Sequence, residues 1–276
     1  MSKVIAYLFS RYHWQAETRW FKKLIVFFAL YKCLYWIVDF QLLFSANNII
    51  YHNSVQLPWW KNAVFFLFNH PTPFASGLFI GLTILLSVYI LILQRYHRIV
   101  FFILWLLICN INNNVFCTMT GGDGLFQALL FFCIFLGSDQ KQEKSVRSDL
   151  NIALHNFGIT AIHVQICIVY FLNAMAKLWD ADWMQGHAVT GALALHEFSL
   201  PYLYNSTETM NGFLNYSVIL YQLLFPVLVW MKKIKKWYLL IGVLQHLFIA
   251  FAMGLPSFGL IMILSYSAFY TPFKKS

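Results

Sequence analysis

The sequence predicts an all-α integral membrane protein, a helical bundle of about eight transmembrane segments with both termini cytoplasmic. Three observations carry this prediction. The chain is 60% hydrophobic and 11% charged, beyond what an ordinary soluble domain keeps in solution. Its apolar stretches, near residues 24–45, 74–93, 99–116, 123–136, 154–176, 212–231, 237–253 and 258–271, are separated by short polar breaks. The basic residues alternate between those breaks. Lys3, Arg11, Arg19, Lys22 and Lys23 precede the first stretch, and Arg95 and Arg98 follow the second. Lys141, Lys144 and Arg147 follow the fourth, Lys232, Lys233, Lys235 and Lys236 the sixth, and Lys274 and Lys275 the last. The intervening breaks hold only Lys61 and Lys177. This is the positive-inside pattern of a multipass protein.

Residues 1–23, with Tyr12, Trp14 and Trp20, read as an amphipathic cytoplasmic lead-in, and no cleavable leader is expected. Residues 24–272 read as one transmembrane domain. In the first stretch Lys32 and Asp39 are seven residues apart on one face, which suggests an intramembrane pair or a proton path. In the second, Gly77 and Gly81 form a GxxxG that predicts a close helix contact.

The third and fourth stretches are short and fit either two tilted spans or a re-entrant hairpin. Asn110, Asn112, Asn113 and Asn114 must then face protein or a water-filled cavity, because lipid cannot satisfy an amide. Gly121-Gly122-Asp123-Gly124 lacks the lysine and strand context of a phosphate loop. It reads as a glycine turn with Asp123 capping the fourth helix.

The fifth stretch carries the sharpest signal. At about 100° per residue, His155, His163, Tyr170, Asn173 and Lys177 fall within an arc of about 80°. Such a stripe lines a bundle interior, a cavity or an ion path. The plainer alternative is interhelical hydrogen bonding with a lysine that snorkels to the interface. A lysine acts as a base only where burial or a nearby cation favours its neutral form. Asp180 and Asp182 would oppose this if they paired with Lys177, and Trp183 would then be an interfacial anchor. His246, on the seventh stretch, is placed to meet Lys177 inside the bundle.

The remaining groups say less. The net charge of +9 sits beside apolar spans, where it fixes orientation and meets anionic lipid, so the bilayer and not nucleic acid is the expected partner. His52, His70, His187, His196 and Glu197 lie in outer loops without metal-ligand spacing, so no metal is assigned. The five cysteines show no CxxC spacing and read as buried thiols, with Cys109 and Cys117 the one pair for which a disulfide is worth testing.

The run from Val169 to Gly186, Val-Tyr-Phe-Leu-Asn-Ala-Met-Ala-Lys-Leu-Trp-Asp-Ala-Asp-Trp-Met-Gln-Gly, resembles the membrane-embedded signature of vitamin K-dependent gamma-carboxylases. More broadly it resembles the HTTM superfamily. The asparagine-rich segment before Gly121, the His155-Asn156 pair, Gln245-His246-Leu247 and Gly254-Leu255-Pro256-Ser257-Phe258 fit in the same order, so the resemblance spans roughly residues 20–272. It implies that Lys177 is a base on the extracytoplasmic side, that the cofactor is a reduced quinone, and that residues 24–272 are one HTTM-like domain. The chain departs from the carboxylases by the inserted Trp179, by asparagine where a histidine is expected near Asn112–Asn114, and by having no large lumenal domain within these residues. Its length is closer to the small bacterial HTTM proteins of the sporulation-delaying protein B type.

That type implies a bacterial inner-membrane protein that matures or modifies a secreted peptide or toxin precursor, together with a small partner protein. In this reading Lys177, His163 and His246 are catalytic. Tyr170, Asn173, Asn113, Asn114, Asp123, Asp180, Asp182 and Trp183 line the cavity. The alternatives are a non-enzymatic transporter, an immunity-type binding protein, or a scaffold for a peptide or small partner.

Overall fold

The computed structural model describes residues 3–45, 67, 72–94, 96–137, 146–195, 200 and 207–270, and the regular structure among them is wholly helical. The helices are α1 (Lys3–Ser10), α2 (Gln15–Val38), α3 (Phe40–Phe44), α4 (Pro73–Leu93), α5 (Arg98–Asn114) and α6 (Gly121–Cys133). They continue as α7 (Val146–Trp179), α8 (Ala181–Met184), α9 (Ala188–Leu193), α10 (Glu208–Leu228), α11 (Lys235–Ala252) and α12 (Pro256–Ser265). Each apolar stretch of the sequence is therefore helical at its core.

Helices α4, α10 and the Asp149–Trp179 portion of α7 are long and apolar enough to cross a membrane. They turn Phe74, Leu85, Ile92, Leu172, Phe213 and Val227 outward, each more than half exposed. Large side chains in such rows suit acyl chains, not water, and mark the protein as membrane-associated. Helices α5 and α6 have 17 and 13 residues, or about 26 and 20 Å at 1.5 Å per residue. Both fall short of the roughly 30 Å hydrocarbon layer. They pack on each other, joined through a 3₁₀ turn at Phe116–Thr118.

Local chemistry sets the helix ends. Thr72 accepts from Ala75 N at 3.2 Å with Pro73 in the first turn of α4, a combination that uses proline's missing N–H where none is needed. Thr120 and Asp123 form a capping box on α6, the Asp123 Oδ2 accepting from Thr120 N at 2.8 Å. The capping role expected of Asp123 is thus present.

The chain forms two compact units, residues 1–161 and 162–276, with the boundary inside α7. In the first unit α2 packs on α4 and α6, and α5 packs on both of those. Phe21, Ile25, Phe28, Leu104, Phe126 and Leu130 are fully buried there. Lys32 pairs with Asp123 and not with Asp39: its Nζ lies 2.7 Å from Asp123 Oδ1. Asp39 instead occupies the break between α2 and α3, its amide bonded back to Tyr35 O and Ile37 O. The Gly77–Gly81 contact expected from spacing is not close. A Cβ on Gly81 would meet nothing within 4 Å, and one on Gly77 only the Phe40 ring at 3.8 Å.

The lead-in is anchored by two neighbouring residues of α7. Asn156 Nδ2 donates to the carbonyls of Tyr7, Leu8 and Arg11 at 3.3, 2.9 and 2.8 Å, and its Oδ1 accepts from His13 N at 2.9 Å. These carbonyls lie at the end of α1, where a helix leaves its acceptors unpaired. His155 Nε2 donates to His13 O at 2.8 Å while its Nδ1 accepts from Gly137 N at 3.2 Å. Lys22 Nζ reaches Gly137 O at 2.9 Å.

In the second unit α11 packs on α10 and most closely on α12. A side chain at Gly259 would come within 2.7 Å of Ala250 Cβ and overlap the His246 carbonyl, so glycine permits the approach. All five cysteines are free, Cys109 buried and Cys117 exposed, so the disulfide considered between them is not formed.

Candidate functional site

The second unit encloses a cavity of about 530 Å³, within the size range of small-molecule sites. Helix α7 contributes Val169, Tyr170, Asn173 and Lys177, α10 contributes Leu214, Ser217, Tyr221 and Gln222, and α11 contributes Leu244, Gln245, His246 and Ile249. Met253, Leu255, Phe258 and Met262 complete an apolar wall, with Trp183 and Val189 at the far side. A few hydrogen-bonding groups therefore converge on a greasy chamber.

Lys177 stands in the last turn of α7 and is half-buried. Its Nζ lies 4.7 Å from the centroid of the Trp183 ring, a cation–π geometry. Asp180, the carboxylate placed to pair with it, caps α8 instead, its Oδ1 accepting from Asp182 N at 3.0 Å and Trp183 N at 3.2 Å. Among the described residues no carboxylate comes within ion-pairing distance of Lys177. The turn carrying Trp183 is fastened to α10, where Asn215 Nδ2 donates to Trp183 O at 2.6 Å and Tyr216 donates to Met184 O at 2.9 Å. Gly186, at φ 83°, closes that turn in the left-handed region.

Deeper in the cavity wall, a chain of hydroxyls runs from His246 through Tyr170. Tyr170 Oη lies 2.7 Å from His246 Nε2 and 2.5 Å from Tyr266 Oη, and Tyr266 Oη lies 3.1 Å from Tyr221 Oη. Tyr238 donates its hydroxyl to the Tyr221 carbonyl. The Tyr170 ring stacks on Phe225 at 3.9 Å. A Cβ on Gly242 would overlap the Tyr221 and Tyr266 hydroxyls, so glycine lets them meet against the α11 backbone. His246 is buried, and its Nδ1 has no hydrogen-bond partner among the described residues.

The structure divides the anticipated residues. Lys177, Tyr170, Asn173, Trp183 and His246 share the cavity. His163 is in the same unit but outside the lining, its Nε2 donating to Ala268 O at 2.8 Å and its ring stacked on Phe269. Asn173 faces the cavity edge and bonds its own helix at Val169 O. Asp180 and Asp182, with His187, Glu208 and Tyr216, line an adjoining groove of about 770 Å³ that meets the cavity at Trp183, Ala188 and Ala192.

Asn113, Asn114 and Asp123 belong to the first unit. There Asn113 bonds Cys109 O at 2.7 Å, Asn114 bonds Ser76 Oγ at 3.1 Å, and Asp123 holds Lys32. The asparagines thus face protein, one of the two environments the sequence allowed. His52, His70, His196 and Glu197 lie outside the described residues. Sequence reasoning missed Tyr221, Tyr238, Tyr266, Asn215 and Gly242. The three tyrosines and Asn215 signalled themselves only by a polar tip within an apolar run, and Gly242 gave no such signal.

No protein-family model, curated protein or solved structure matches this chain.

Proposed function

We propose that this chain is a multipass membrane protein of the HTTM type, with eight membrane-embedded helical segments and cytoplasmic termini, that matures or modifies a secreted peptide or toxin precursor at the extracytoplasmic face. Lys177 is its base, receiving a proton from a substrate that enters the cavity between α7, α10 and α11. The observation that carries the reading is the placement of the Lys177 amine on the cavity wall against Trp183, with the Asp180 Oδ1 engaged by the backbone amides of α8. An amine held beside an apolar chamber, with no carboxylate at ion-pairing distance among the described residues, is arranged for proton transfer. The run Val169–Gly186 supplies the family resemblance, and the alternation of basic residues supplies the orientation.

A reduced quinone, the cofactor implied by the carboxylase resemblance, fits the chamber's chemistry. Lys177 and His246 would hydrogen-bond its oxygens and the Met253–Phe258 wall would hold its apolar part, while the quinone would supply reducing equivalents. The groove lined by Asp180, Asp182 and Glu208 is suited to the polar precursor or a small partner protein.

The test compares the mass of the secreted precursor in cells carrying the wild type, Lys177→Ala and Lys177→Arg. Loss of processing of about 100-fold or more is expected in both variants, the scale of a missing general base, with helical content unchanged. Normal processed peptide from Lys177→Ala would remove Lys177 as the base.

A further inference from the structure

We infer that Tyr170, Tyr266 and Tyr221 form a proton relay that lets His246 both accept and donate at its free Nδ1 in the cavity, with Tyr266 and Tyr221 as positioning residues acting through it. The inference rests on reading this cavity as a reaction site.

A phenol hydroxyl has one proton to donate, and a neutral imidazole has one N–H and one acceptor nitrogen. His246 Nε2, Tyr170, Tyr266 and Tyr221 are joined in one line at 2.7, 2.5 and 3.1 Å. Such a line has two consistent directions. In one, Nε2–H donates to Tyr170, Tyr170 to Tyr266, and Tyr266 to Tyr221, leaving Nδ1 a bare acceptor and the Tyr221 proton directed away from Tyr266. In the other, every bond is reversed, Nδ1 carries the hydrogen, and Tyr221 donates inward. Both keep all three internal hydrogen bonds, so neither direction loses a bond relative to the other.

Passing between them moves one proton without leaving a charge behind. Nδ1 takes a proton from the ligand, the Nε2 proton passes to Tyr170 Oη, and the Tyr170 proton passes to Tyr266 Oη. The Tyr266 proton then passes to Tyr221 Oη, and the original Tyr221 proton passes to an acceptor atom of the ligand or a water in the cavity that Tyr221 lines. Both ends of the line belong to residues that line the same cavity. His246 is 1% exposed and Nδ1 has no partner among the described residues. A buried nitrogen in that condition costs stability unless a ligand or water completes it. Gly242 supports this assignment, because any side chain there would part the Tyr266 and Tyr221 hydroxyls at the far end of the line.

The experiment is nitrogen NMR of the full chain, labelled with ¹⁵N-histidine in lipid nanodiscs, with His246 assigned by the signal missing from His246→Gln. In the wild type both neutral tautomers of His246 are expected, in exchange. Tyr221→Phe removes the far acceptor, so Tyr266 must donate to Tyr170 and Tyr170 to Nε2. The His246 signal then collapses to the Nδ1–H tautomer. Tyr238→Phe, whose hydroxyl is outside the line, leaves both tautomers in place.

A single fixed tautomer in the wild type overturns the relay, and this measurement needs no variant to fold. An unchanged mixture in folded Tyr221→Phe, or the same collapse in Tyr238→Phe, overturns it equally. A fixed tautomer with Lys177-dependent maturation intact removes the relay alone. Maturation that persists without Lys177 removes the base and leaves the tautomer result standing.

Discussion

Lys32 Nζ and Asp123 Oδ1 lie 2.7 Å apart with both side chains almost wholly buried. One residue comes from the middle of α2 and the other from the first turn of α6, so the contact ties the start of a short helix to a long one. Asp123 also closes the Thr120 capping box through its second oxygen. Removing either partner leaves a buried charge unpaired, which costs about 3–5 kcal/mol. Lys32→Met and Asp123→Leu should each lower thermal stability markedly in detergent. The double variant should recover most of the loss, since the unpaired charge is gone. Single and double variants of equal stability would show the pair to be energetically idle.

Gly242 and Gly81 make opposite predictions for one substitution. Gly242→Ala forces the Tyr221 and Tyr266 hydroxyls aside and should destabilise by about 1–3 kcal/mol, the usual scale of overpacking. Gly81→Ala fills open space and should be neutral or stabilising by up to about 1 kcal/mol, through helix propensity. Thermal melts of both variants in one detergent decide the matter, and a Gly242→Ala protein as stable as the parent refutes the packing account.

Asn156 holds the lead-in through four hydrogen bonds. Asn156→Ala removes the donor to the Leu8 and Arg11 carbonyls, while Tyr7 O keeps Ser10 Oγ at 3.2 Å, at about 0.5–1.5 kcal/mol for each hydrogen bond lost. Limited proteolysis should then cut within residues 3–13 faster than in the parent, while fragments from residues 162–276 stay protected. Equal cutting rates would mean that another contact holds the segment.

His13 lies within the same latch, stacked on Tyr7 at 4.2 Å. Partial burial, with help from the Arg11 charge, lowers its pKa from the ordinary value of 6.5. The undocked segment therefore binds more protons than the docked one as pH falls through about 6.5, and docking weakens on acidification. Hydrogen exchange of residues 3–13, corrected for intrinsic rates, should rise between pH 7.5 and 5.5. His13→Gln should flatten that rise, and an unchanged slope would assign the effect to another group.

The helices were legible because a lipid-compatible segment must be apolar along its length, and eight such runs stand out from the polar breaks. The alignment of Tyr170, Asn173 and Lys177 was legible too, since helical period alone places them together. What those side chains touch was not. His155 and His163 share the same face, yet backbone carbonyls from distant parts of the chain take them up. Lys32 had Asp39 as its visible partner along one helix, whereas the carboxylate that reaches it comes from a helix much later in the sequence. Tyr221, Tyr238 and Tyr266 read as ordinary greasy side chains, because a tyrosine ring satisfies an apolar pattern whatever its hydroxyl does. Long-range pairing of polar tips has no period to betray it.

The Asn156 latch also bears on the order in which the chain is made. A ribosome releases residues 3–13 long before Asn156 exists, so through much of synthesis the first helix has nothing to grip. Its anchoring is consequently a late event that reports the arrival of α7, and a nascent chain truncated before residue 156 would leave its amino end loose.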